Sequence, residues 1–116
     1  MINLLNDADV FIENYSTGTL QDLRLGYDDI KNHNPKIIYC AMTGYGDDGP
    51  KAFKGAYDNT IQAASGTVAQ CSGAKPGVSF VDYAAGYSAA FAIAAALNVQ
   101  CKCANSQRFC ANVQCQ

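Results

Sequence analysis

The sequence predicts an α/β fold: a partial Rossmann-like layered domain with a short parallel sheet and flanking helices. Three observations lead there. Strand-like and helix-like segments alternate along the chain, the order that right-handed βαβ units produce. The segment KIIYCAMT, Lys36 to Thr43, is apolar at nearly every position, as a strand covered on both faces of a parallel sheet must be. With 116 residues, 49% hydrophobic and 16% charged, the chain has room for one domain with a buried core.

The elements follow in order. Asp9 to Asn14, DVFIEN, is β-branched and aromatic enough for a first buried strand. Tyr15-Ser16-Thr17-Gly18 is a turn, and Ser16 or Thr17 is placed to cap the helix after it. Leu20, Leu23, Leu25, Tyr27 and Ile30 fit two short helical pieces broken near Gly26. Asn34-Pro35 ends them, because proline disfavours helix at the residue before it. Lys36 to Thr43 is the second strand, followed by a glycine-rich charged loop from Gly44 to Gly55. Ala56 to Gln70 carries Ile61, Ala64 and Val68 at helical spacing, with Gly66 a weak point. After a loop at Ser72 to Gly77, Val78 to Val81 reads as a third strand, and Asp82 opens an alanine-rich helix reaching about Cys101. This divides the chain into an α/β domain over residues 1–100 and a divergent cysteine-rich tail over 101–116.

Composition excludes several classes. A net charge of −2 leaves no concentrated basic surface for nucleic acid. The longest apolar run, Ala84 to Leu97, is 14 residues, short of the roughly 20 of a spanning helix. The start, MINLLNDAD, lacks a positive region followed by an apolar core, so a cytoplasmic protein without membrane contact is expected. Cys40 and Cys71 lie in apolar surroundings and read as buried, inert thiols. Cys101, Cys103, Cys110 and Cys115 are spaced C-x-C-x6-C-x4-C, without the C-x2-C pairs of structural zinc sites, and the single histidine is remote. No metal site is expected, and without a secretory signal no disulfide framework either.

Three features invite a chemical reading. Gly44-Tyr45-Gly46-Asp47-Asp48-Gly49 is a literal G-x-G-x-x-G after a strand, but two aspartates inside it would repel a phosphate and Pro50 follows at once. A turn-rich substrate loop is the better reading. Asp82 stands before a helix, where an aspartate is ordinarily an N-cap. The same place, at a sheet edge and followed by small Ala84, Ala85 and Gly86, also suits a nucleophile facing a bulky substrate. His33 reads as a solvated helix-end histidine. No G-x-S-x-G elbow or H-E-x-x-H motif is present.

Six stretches, in order, resemble the class III CoA-transferases, the family of formyl-CoA transferase, carnitine CoA-transferase and the CaiB/BaiF proteins. They are Asp9–Tyr15 with Gly18-Thr19-Leu20, Leu25–Ile30, Asn34–Cys40, Gly44–Pro50, Ala56-Tyr57-Asp58, and Pro76–Gly86. The resemblance implies that CoA moves between an acyl-CoA thioester and a small carboxylic acid through an aspartyl intermediate. It assigns the nucleophile to Asp82 and places Tyr57 where transferases carry tyrosine. It also gives Glu13, Asn14 and Tyr15, with Lys54 adjoining, to the lining of the CoA site. CoA and acyl-CoA would be substrates, with no covalently held cofactor. The family's proline and arginine are replaced here by Thr17 and Asp22. Family members are several times longer, which implies a middle section of their large domain, possible loss of activity through truncation, and a homo-oligomer covering exposed sheet edges. The alternative is a non-catalytic binding or interaction module that retains the fold.

Overall fold

The computed structural model of the chain describes residues 2–102 and 111–115. Its elements are α1 (Ile2–Leu5), β1 (Val10–Glu13), α2 (Thr19–Asp22), α3 (Tyr27–His33), β2 (Ile38–Met42), α4 (Asp58–Ala64), α5 (Thr67–Gln70), α6 (Phe80–Lys102) and β3 (Ala111–Cys115). The three strands form one parallel sheet in the order β1-β2-β3, with Val10 opposite Ile38 and Ile38 opposite Ala111.

Strand β2 is central, and four of its five residues are buried. Side chains alternate across a strand, so β2 feeds two cores. Tyr39 and Ala41 join Leu5, Ile30 and Ile37 on the face covered by α1 and α3. Phe11 stacks on the Tyr39 ring at 5.3 Å, and Tyr27 meets it edge-on at 5.8 Å. Cys40 packs on the opposite face against Ala89 of α6, with Met42 and Ile93 beside them. The Asn34 side chain donates to the carbonyls of Leu5 (2.8 Å) and Ala8 (2.9 Å), tying the end of α3 to the entrance of β1.

The short helices break where glycine and proline predict. Gly26 caps α3, Asn34 ends it, and Gly66 at φ 82° separates α4 from α5. The cap of α2, however, is Gly18 at φ 91° rather than Ser16 or Thr17; the Thr19 amide donates to the Ser16 carbonyl instead. Helix α1 has no counterpart in the predicted elements. It forms because Leu5 is drawn into the first core.

Two further expectations are corrected. Residues 78–81 are not a strand: Phe80 and Val81 begin α6, and Tyr83 already donates to the Ser79 carbonyl. The third strand lies instead at Ala111–Cys115, within the cysteine-rich tail. Cys40 is buried as expected, but Cys71 is exposed, because α5 is a single turn with no buried residue. Cys103 and Cys110 lie outside the described residues.

Helix α6 runs for 23 residues, well past the apolar run visible in the sequence. By length and composition alone, Phe80–Cys101 could cross a membrane, with a mean hydropathy of 1.4 in its most apolar window. It is seated on the sheet through Ala89 and Ile93, as the helix of an α/β layer is. Its other faces are largely uncovered, and Phe91 is 80% exposed.

Candidate active site

A cavity of about 640 Å³ opens where the carboxyl ends of β1 and β2 face the first turns of α6. That edge of a parallel sheet is where open α/β folds hold ligands. Asn14 and Tyr15 enter it from the end of β1, Lys54 and Tyr57 from the loop before α4, and Asp82 from α6. Five of the six predicted site residues therefore share one cavity, although they span the chain from 14 to 82.

Glu13 does not join them. Its carboxylate accepts the Tyr15 amide at 2.8 Å and lines a separate small cavity of about 220 Å³. Pleating accounts for this, because neighbouring strand residues project to opposite sides. Burial raises the Glu13 pKa from its ordinary value of 4.5, partly countered by hydrogen bonds from the Tyr15 amide and the Tyr39 hydroxyl. Burial and the neighbouring Glu13 charge hold the Tyr39 hydroxyl well above the usual tyrosine range, so it stays protonated.

The cavity owes its shape to small residues. A Cβ on Gly44 would stand 2.0 Å from the Ala56 Cβ, so only glycine lets the loop carrying Tyr57 cross the end of β2 this closely. The later glycines of that motif, Gly46 at φ 77° and Gly49 at φ 95°, make left-handed turns. Turn geometry and close packing thus explain the G-x-G-x-x-G without a phosphate. On α6, Ala84, Ala85 and Gly86 line the cavity, and a Cβ on Gly86 would meet open space.

Asp82 sits in the first turn of α6, exposed, and its carboxylate accepts no hydrogen bond among the described residues. It is not the cap of its helix. That role falls to Asp58, which is buried at the start of α4. One Asp58 oxygen accepts the amides of Val81 (3.0 Å) and Asp82 (3.4 Å), the donors an N-cap side chain satisfies. The other accepts Gln62 Nε2 at 2.6 Å and lies 3.5 Å from Lys75 Nζ. Asp58 stands in the A-Y-D stretch, but nothing in the sequence shows that its carboxylate reaches a helix more than 20 residues later. Tyr57, extended at φ −124° and 79% exposed, reaches into the cavity from the position before it. Among the described residues, no group of three or more histidines, cysteines, aspartates or glutamates is placed to hold a metal ion.

The fold is thus that of an α/β protein whose sheet-edge cavity is lined by an exposed aspartate at a helix start and an exposed tyrosine from the loop before α4. The chain belongs to CoA-transferase family III, whose description matches residues 1–107. It is 38% identical over 114 residues to an acyl-CoA transferase of Fusarium pseudograminearum, covering 93% of this chain and 25% of that protein. It is 43% identical over 96 residues to the succinyl-CoA:glutarate CoA-transferase of Mus musculus, covering 78% of this chain and 22% of the relative. The crystal structure of a CaiB/BaiF family protein from Brucella suis superposes with a TM-score of 0.85 at 32% identity, over 97% of this chain and 30% of that one. The chain thus spans about a quarter of the length of the curated relatives it matches.

Proposed function

We propose that this chain bears the nucleophile of a CoA-transferase site, with Asp82 as the attacking group. The observation that carries this is the convergence of Asp82 and Tyr57 on one cavity with Asn14, Tyr15 and Lys54. The Asp82 carboxylate attacks the acyl-CoA carbonyl, the C–S bond breaks, and CoA leaves as a thiolate beside an acyl-aspartyl anhydride. The thiolate then attacks the aspartyl carbonyl, releasing the donor acid and forming an aspartyl-CoA thioester. An acceptor carboxylate repeats both steps in reverse and departs as its CoA thioester, restoring Asp82. No net proton or electron is consumed.

In this reading Tyr57 donates its hydroxyl to the oxygen or sulfur that gains charge, and Lys54 offers its ammonium to CoA phosphate. Asn14 and Tyr15 border the same opening. The name of the mouse relative mentions succinyl-CoA and glutarate. Small dicarboxylic acids are accordingly the acyl groups to try first. The chain spans about a quarter of the length of such relatives, and the step assigned to it is the attack by Asp82.

The test is calorimetric titration of CoA and succinyl-CoA into the chain. Binding that weakens in Asp82→Asn and Asn14→Ala supports the reading; no binding at millimolar ligand overturns it. A second reading, a binding module without the chemistry, draws on the apolar side chains exposed along α6, Tyr83, Tyr87 and Phe91 among them. A second copy of the chain is its natural occupant. Self-association in sedimentation velocity without CoA binding would favour it.

A further inference from the structure

We propose that Asp58 is the positioning residue for the nucleophile: it sets where Asp82 stands by holding the first turn of α6. The inference rests on the assignment of Asp82 in the preceding section. The Asp82 carboxylate has no hydrogen bond among the described residues, so its placement is inherited from its backbone. That backbone is held by Asp58, which is only 5% exposed and accepts the amides of Val81 and Asp82.

Gln62, one turn further along α4, completes the grip. It is fully buried, and its Nε2 donates both to Asp58 and to the Val78 carbonyl at 3.2 Å. The pair therefore binds the chain just before α6 begins and again within its first turn. The two acceptors facing Nε2 fix the amide orientation, even though this leaves Gln62 Oε1 buried without a partner among the described residues. A flipped amide would set its oxygen against the Asp58 carboxylate.

This arrangement has a consequence for geometry at the cavity. Tyr57 is covalently joined to Asp58, and Asp82 is hydrogen-bonded to it, so the two cavity side chains take their separation from a single residue. Reacting groups must be held within a fraction of an ångström, and an error near 1 Å can cost on the order of a hundredfold in rate.

The test incubates the chain with succinyl-CoA, traps the aspartyl adduct with hydroxylamine, and follows the Asp82 hydroxamate by mass spectrometry. Asp58→Asn keeps the shape and one acceptor oxygen but turns a donor toward Gln62 and Lys75; Asp58→Ala removes the grip. Both are expected to slow adduct formation at saturating succinyl-CoA by about tenfold or more, to leave CoA affinity within a factor of about two, and to speed amide exchange at Val81 and Asp82. Asp58→Asn serves alone if the alanine variant does not fold. Wild-type adduct with an unchanged rate in Asp58→Asn overturns the positioning role and leaves the assignment of Asp82 standing. No adduct in the wild type overturns both.

Discussion

Replacing Asp58 and Asp82 separately distinguishes the residue that caps α6 from the residue that faces the cavity. Losing a helix N-cap costs about 0.5–2 kcal/mol. Asp58→Ala does more than that. It strands the half-buried Val81 amide, which donates at 3.0 Å, and takes from the buried Gln62 the nearer of its two acceptors. Leaving these donors short of partners adds about 1–3 kcal/mol, overlapping in part with the cap itself. Lys75 contributes little, because at 3.5 Å with its side chain 45% exposed the pair is screened by water. Together the loss comes to about 2–4 kcal/mol. Asp82→Ala removes only an exposed first-turn charge, a change of about 0.3–1 kcal/mol, and alanine's helix preference offsets part of it. Urea unfolding at neutral pH, followed by far-ultraviolet circular dichroism, measures both. Equal losses, or a larger one for Asp82→Ala, would refute the reasoning.

Gly44→Ala is expected to destabilise by about 1–3 kcal/mol, since the new methyl would stand 2.0 Å from the Ala56 Cβ; adding Ala56→Gly should recover much of it in the same unfolding assay. Gly86→Leu should leave the melting temperature unchanged or higher, because its Cβ meets open space and glycine is the poorer helix former, while abolishing CoA binding by calorimetry. Glu13 binds its proton more tightly in the folded chain than in the unfolded one. Its contribution is therefore fully present below the unfolded carboxylate value near 4.5 and is lost as pH rises through the higher folded value. Glu13→Gln should flatten that part of the stability-against-pH curve, and a wild-type curve that rises across the same interval would count against the assignment.

How far the sequence could be read depends on the range of the forces involved. Strand β2 was legible because a fully covered parallel strand needs an unbroken apolar run, and Ile38–Met42 supplies one. Gly26, Asn34 and Gly66 were legible as breaks because backbone conformation is local. The site residues Asn14, Tyr15, Lys54, Tyr57 and Asp82 came from family-like motifs rather than from spacing, and the fold gathers them at one sheet edge. Glu13 shared the motif but faces another cavity, since a motif does not state which way a pleated residue points. The run from Val78 to Val81 has β-branched and aromatic side chains, and local preference reads it as a strand. Capping from α4 makes it the approach and first turn of a helix instead.

By itself, then, the sequence determined the α/β class, the central strand, the positions of the breaks and the residues that resemble a CoA-transferase site. The first three depend on apolar periodicity and on backbone preferences within a few residues, and the last on resemblance to family motifs. Only the tertiary structure decided that Asp58 rather than Asp82 caps α6, and that the third strand comes from the tail. It also decided that Gly44 is required by the nearness of Ala56. Each of these depends on a hydrogen bond, a ladder or a steric contact between segments distant along the chain, and such contacts exist only once the fold has brought them together.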